Sequence, residues 1–195
     1  GQVREALADR KPANMVLLRG FSQRPDWPML DDVTGLKPLA IARYPMYRGV
    51  SKLVGMEALP ALESVEAEFD ALESHWDDYD FFFVHVKRID SAGEDGDIVR
   101  KISLIEKADR LLPRIHALEP DVLVVTGDHS TPARLKYHSW HPVPALLWST
   151  HCRPDRLTRF DERACAGGSL GSRFPAQDLM ALALAHARRL DKYGA

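Results

Sequence analysis

An α/β fold with a largely parallel sheet is what the sequence predicts, and three observations carry that expectation. Short apolar or β-branched runs recur at Met15–Leu18, Leu39–Ala42, Phe81–Val86, Asp121–Val125 and Pro142–Trp148, each bounded by turn or polar residues. Between them stand stretches of helical spacing, and strands alternating with helices build parallel sheets. Ionisable residues also follow the strands at once, which is where such sheets hold their ligands.

In chain order, Gln2–Arg10 predicts a short helix stopped by Lys11-Pro12, and Met15–Leu18 a buried strand delivering Arg19. Ser22–Gly35, with Pro25, Trp27 and Pro28, predicts a connector between two structural units. Leu39–Ala42 is the second strand, and Met46–Val54 a helix that carries Arg48 near its start. A basic residue there opposes the helix dipole, so Arg48 either faces an anion or is simply exposed. Leu62, Val65, Phe69 and Leu72 mark one face of a helix with a solvated acidic side. After the third strand comes an acidic stretch, Asp90 to Asp97, expected as a loop. Its spacing fails the calcium-loop pattern, and Asp97 suits the cap of the following helix. That helix shows its face at Ile98, Ile102, Ile105, Leu112 and Ile115. Asp121–Val125 predicts a fully buried strand, and Gly127 lets the chain turn so that Asp128 and His129 converge. Asp155–Arg173 is a polar, glycine-rich loop. Pro175 opens a last helix whose buried face would be Leu179, Leu182, Ala183, Ala187 and Leu190.

Bulk properties narrow the function. The 195 residues fit one large domain, or one domain and a piece of another. A net charge of −2 leaves no nucleic-acid footprint and no polybasic membrane signal. No apolar run is long enough to span a bilayer, and no secretory leader is recognisable. Cys152 and Cys165 lack metal-type spacing, which points to free thiols in a reducing cytoplasm. The first residue is Gly, so the chain is expected to begin inside a longer protein.

Strand ends thus present Asp90 and Glu94, Asp128 and His129, and beyond them His138, a mixed oxygen and nitrogen set suited to divalent manganese, zinc or magnesium. Alone, an Asp-His pair reads more readily as an ordinary loop than as half of a metal site. The added imidazoles raise the case for a metal. Two ions about 3.5–4 Å apart clamp the oxygens of a phosphoryl group, and Arg19 and Arg48 would supply charge for phosphate and carboxylate. Ser91, Ser130 and Thr131 lie nearby, but nothing singles one out as a nucleophile.

The motifs NMVLLRG (Asn14–Gly20), ARYPMYRGVSKLVGM (Ala42–Met56), FVHVKRIDSAGEDGD (Phe83–Asp97), TGDHSTP (Thr126–Pro132) and HSWHPVP (His138–Pro144) occur in this order, followed by FDERAC, GSLG and KYGA. Over nearly the whole chain the sequence resembles the cofactor-independent phosphoglycerate mutases of the archaeal type, in the alkaline phosphatase superfamily.

The resemblance implies a three-layer α/β sandwich, incomplete here because the family's N-terminal half is absent. Residues 1–23 would finish an inserted substrate domain, 24–37 would be a linker, and 38–195 the C-terminal part of the phosphatase-like core. It implies interconversion of 2- and 3-phosphoglycerate without bisphosphoglycerate, through a phosphoserine whose serine lies in the missing half, so that this chain alone would be inactive. Two divalent ions are implied, manganese first, with zinc, magnesium or cobalt as alternatives. Asp90, Glu94 and His138 would hold one ion, and Asp128 and His129 would contribute to the other. Arg19 and Arg48 match substrate-gripping positions. The implied partners are a small phosphorylated substrate, the missing half and, as an open option, further copies of the chain. The implied location is the cytoplasm. Two departures stand out: Glu94 where wider relatives often carry His, which favours a harder metal, and His141 where an acidic residue is frequent, which leaves it outside the ligand set. A phosphatase, a homoserine-kinase-like phosphotransferase and a non-catalytic metal-binding module remain as alternatives.

Overall fold

Five consecutive residues, Pro38–Ala42 (β1), form the most deeply covered strand, with Leu39, Ala40 and Ile41 wholly inaccessible to solvent. A strand buried on both faces must sit centrally, and β1 does. Phe81–His85 (β3) runs parallel on one side, Leu39 opposite Phe82 and Ile41 opposite Val84. The two-residue Glu57–Ala58 (β2) lies parallel on the other. The computed structural model describes residues 2–18 and 20–190.

Helices cover this sheet. Of those preceding β1, Gln2–Ala6 (α1) buries nothing, and Leu30–Thr34 (α2) falls inside the expected connector. Pro45–Leu53 (α3) links β1 to β2 and starts on a proline, whose missing N–H costs nothing in the first turn. Val65–Ser74 (α4) begins three residues later than the apolar spacing suggests, because the Ser64 hydroxyl caps it by accepting from the Ala67 N–H at 3.1 Å. Its Val65, Phe69 and Leu72 join Leu39, Ile41 and Ile115 in the central apolar cluster. Ile115 comes from the long helix Ile98–Ala117 (α6), capped as expected by Asp97, which accepts from the Arg100 N–H at 2.9 Å. Arg114 of α6 fastens the two helices together by donating to Asp70 and Glu73 of α4, each at 2.6 Å.

A second sheet pairs Val122–Thr126 (β4) with Ala145–Ser149 (β5) in antiparallel fashion. Leu123 of β4 packs against the central cluster, so both sheets share one core. Glu162–Cys165 (α7) and Asp178–His186 (α8) complete the chain, α8 held to β5 through Ser149 Oγ and His186 Nδ1 at 3.0 Å.

The α/β class with a parallel sheet stands; several local expectations do not. Met15–Leu18 is not a buried strand: no strand pairs with it among the described residues, and Leu17 is 85% exposed. Apolar content alone cannot bury a segment that lacks a neighbouring ladder. β4 is half-buried rather than fully buried, because it is paired on one side only. Its antiparallel partner also makes the strand set mixed. In α8 the buried residue is Leu184, outside the expected face, and Leu190 lies beyond the helix and is exposed. Residues 191–195, which include the whole KYGA motif, lie outside the described residues. The acidic stretch is not a loop. Arg88–Asp95 is a helix (α5), closed by Gly96 in the left-handed conformation at φ 75°.

Candidate metal centre

That helix decides the geometry of the site. In α5, Asp90 and Glu94 are one turn apart and share a face, which a loop would not have enforced. The strand β3 delivers this helix at its C-terminal end, and β4 delivers Asp128, His129 and Thr131 at its own. A backbone bridge between Ser130 and Ser139, with the Ser139 N–H donating to the Ser130 carbonyl at 2.9 Å, folds the next segment back. The bridge places His138 beside His129, their ring centres 3.8 Å apart.

Asp90 lies at the middle. Its Oδ1 is 3.8 Å from His138 Nε2 and 3.9 Å from His129 Nδ1. One donor atom from each of Asp90, His129 and His138 lies within 4.8 Å of the other two, the one such grouping of His, Cys, Asp or Glu among the described residues. Glu94 reaches the same set, its Oε1 3.5 Å from His138 Nε2. The arrangement fits a divalent ion: one carboxylate oxygen facing two imidazole nitrogens, with a second carboxylate at the rim, is a common mixed donor set.

Neighbours fix the carboxylate that the imidazoles share. Thr131, itself buried, donates its hydroxyl to Asp90 Oδ1 at 2.5 Å, and Lys87 donates to Oδ2. Burial alone would push the Asp90 carboxyl up; these two hydrogen bonds and the nearby positive charges outweigh it and hold the group below the usual carboxylate range. Lys87 is shifted the opposite way: burial lowers it, but the bond to Asp90 raises it further, so it stays charged. Asp128 follows the same balance, burial opposed by a hydrogen bond from Tyr47 and by His129, with a net lowering. Its Oδ2 lies 3.2 Å from His129 Nε2. His85, at the end of β3, is depressed by burial.

Of the residues singled out from sequence, Asp90, His129, His138 and Glu94 converge. Asp128 touches the group only through His129. His141 turns away, its Nδ1 2.8 Å from Ser139 Oγ and its ring stacked on Trp140. Arg48 is half-buried on α3, and its Nε is buried without a hydrogen-bond partner among the described residues. Arg19 lies outside the described residues. Sequence reasoning missed Tyr47, Lys87 and the supporting role of Thr131. Lys87 had a usable signal, since it stands three residues before Asp90, within reach of a helix face.

A family description, the Metalloenzyme superfamily, matches residues 10–186, most of the chain. The chain belongs to the Metalloenzyme superfamily. Among its relatives, a protein of Thermotoga neapolitana named probable 2,3-bisphosphoglycerate-independent phosphoglycerate mutase is 52% identical over 194 residues, covering 100% of the chain and 48% of the relative. A Thermus thermophilus protein of the same name is 50% identical over 197 residues, with the same coverage. The chain therefore spans about half the length of the curated relatives it matches. A solved protein from Pyrococcus horikoshii superposes with a TM-score of 0.83 at 32% identity, over 91% of this chain and 57% of that one. The cofactor-independent phosphoglycerate mutase from Thermoplasma acidophilum superposes with a TM-score of 0.65 at 20% identity, over 84% and 39%, a likeness of fold. The fold of the chain is thus the alkaline-phosphatase-like α/β architecture, and the family resemblance drawn from its motifs holds.

Proposed function

We propose that this chain supplies metal-holding and substrate-binding residues to a cofactor-independent phosphoglycerate mutase, which interconverts 2- and 3-phosphoglycerate through a phosphoserine. The observation that carries the reading is the convergence of Asp90, His129 and His138, reached by Glu94. The name shared by relatives matched over the whole chain supports the reaction and substrate.

In this reading Asp90, Glu94 and His138 hold one divalent ion, and Asp128 and His129 contribute to a second, manganese being the expected metal. Bound there, such ions offset charge on a transferred phosphoryl group. The chain's own residues do the rest. Lys87 and Thr131 keep Asp90 ionised and fixed in orientation. Arg48, with a buried unpartnered Nε, grips the anionic substrate, and Arg19 is assigned the same task from its motif. The nucleophilic serine lies in the portion of the relatives that this chain does not span. Residues to about 23 then finish a substrate domain, 24–37 link, and the remainder is phosphatase-type core. The reaction is assigned to the cytoplasm with the rest of this reading; separately, no helix among the described residues is long and apolar enough to cross a membrane.

Calorimetric titration of the chain with Mn²⁺, beside Asp90→Ala and Glu94→Ala, tests the site. Binding that weakens in both variants is expected, and binding unaffected by either would overturn the ligand assignment. Turnover of 2-phosphoglycerate by this chain alone would overturn the placement of the serine.

A further inference from the structure

Tyr47 stands in the first turn of α3, just past the C-terminal end of β1. Its ring centre lies 4.3 Å from that of His85, 6.0 Å from Phe83 and 5.9 Å from Tyr44, so three rings confine it. The hydroxyl donates to Asp128 Oδ2, a partner 81 residues away in sequence. The other oxygen of Asp128, Oδ1, accepts from the His129 backbone N–H at 3.0 Å. The carboxylate is therefore anchored at both ends, once by its own loop and once by a side chain from the helix that follows β1. Because Tyr47 follows β1 and Asp128 follows β4, the bond also joins the segments that leave the two sheets at the site. Two neutral donors occupy only part of a carboxylate's accepting capacity, which is about four lone pairs.

We infer that Tyr47 is a positioning residue: it sets the orientation of Asp128 so that the free lone pairs of that carboxylate face the His129 imidazole and an ion held there. The inference rests on the reading of Asp128 and His129 as ligands. A carboxylate on an exposed loop would otherwise rotate freely, and the ordering cost would fall on metal binding. A phenol locked among three rings removes that freedom beforehand.

The test is a calorimetric Mn²⁺ titration of the chain, of Tyr47→Phe, of Asp128→Asn and of the double variant, with folding followed by circular dichroism. Phenylalanine keeps the ring and its packing and deletes only the hydroxyl. Tyr47→Phe is expected to weaken Mn²⁺ binding by roughly 10–100-fold, the range for partners behind a ligand. In the Asp128→Asn background the same change is expected to add nothing, because the hydroxyl acts through that carboxylate. An unchanged affinity in Tyr47→Phe or in Asp128→Asn overturns the inference while leaving the metal site standing. A Tyr47→Phe loss that adds in full to that of Asp128→Asn also overturns it, since a merely structural effect behaves that way. If the unaltered chain binds no Mn²⁺, the metal reading falls and takes the inference with it.

Discussion

A side chain on Gly93 would collide with the backbone oxygen of Thr131. The helix that carries Asp90 and Glu94 can thus lie directly on the loop that carries His129 only because position 93 has no Cβ. Gly93→Ala should gain about 1 kcal/mol of helix propensity and lose more to overpacking, roughly 1–3 kcal/mol. The expected net result is a lower urea midpoint together with weaker Mn²⁺ binding, because Asp90 moves away from both imidazoles. A variant as stable and as tight-binding as the parent would mean that the loop yields freely.

The same Thr131 oxygen accepts a hydrogen bond from Lys101 Nζ of α6 at 2.6 Å. Lys101→Met preserves the stem and removes the donor, leaving a carbonyl of a buried residue without that partner. A loss of about 1–3 kcal/mol is expected, read from denaturant unfolding at constant pH. An unaltered midpoint would show that solvent replaces the ammonium without cost.

His138 and His141 offer a paired comparison. His138→Ala should abolish or greatly weaken Mn²⁺ binding, whereas His141→Ala should leave it unchanged, since His141 faces Ser139 and Trp140. Equal losses in the two variants would count against the site as drawn.

Glu68 predicts a pH dependence. It is 4% exposed, and one of its oxygens has no hydrogen-bond partner among the described residues. Burial raises its carboxyl from 4.5 to about 7, against the pull of Arg88 and Arg43. The folded chain therefore keeps this proton over a range in which the unfolded chain has lost it. The stabilising contribution is complete in acid and disappears as pH rises through about 7, a change of the order of 3 kcal/mol. Glu68→Gln should erase that slope, becoming more stable than the parent at pH values above about 7 and not below about 4.5. Urea unfolding of both proteins at acid and alkaline ends of this range decides the matter.

Much of this was legible in the sequence because the signals were local. The apolar runs behind β1, β3 and β4, the spacing behind α6 and the Asp97 cap all depend on neighbours within a few residues. The placement of Asp128 and His129 just past the end of β4 was legible too, since the apolar run that forms the strand stops at Thr126. What escaped depended on distant partners. Met15–Leu18 reads as a strand until one asks what pairs with it. The acidic segment reads as a loop because its glycines and carboxylates disfavour helix, and only packing of Gly93 on Thr131 and termination at Gly96 make α5 intelligible. Tyr47 gave no signal at all, because its partner is 81 residues away.

Among the described residues, β4 pairs with β5 alone, so its other flank presents amide and carbonyl groups that no strand pairs. The sequence of that strand, VLVVT, has no charge, proline or glycine, the composition that recruits further strands into fibrils. Asp121 and Asp128 bracket it as charged gatekeepers. Loss of the negative charge at this end of the strand, as in Asp128→Asn, is therefore expected to favour stacking of copies and to shorten the lifetime of concentrated solutions.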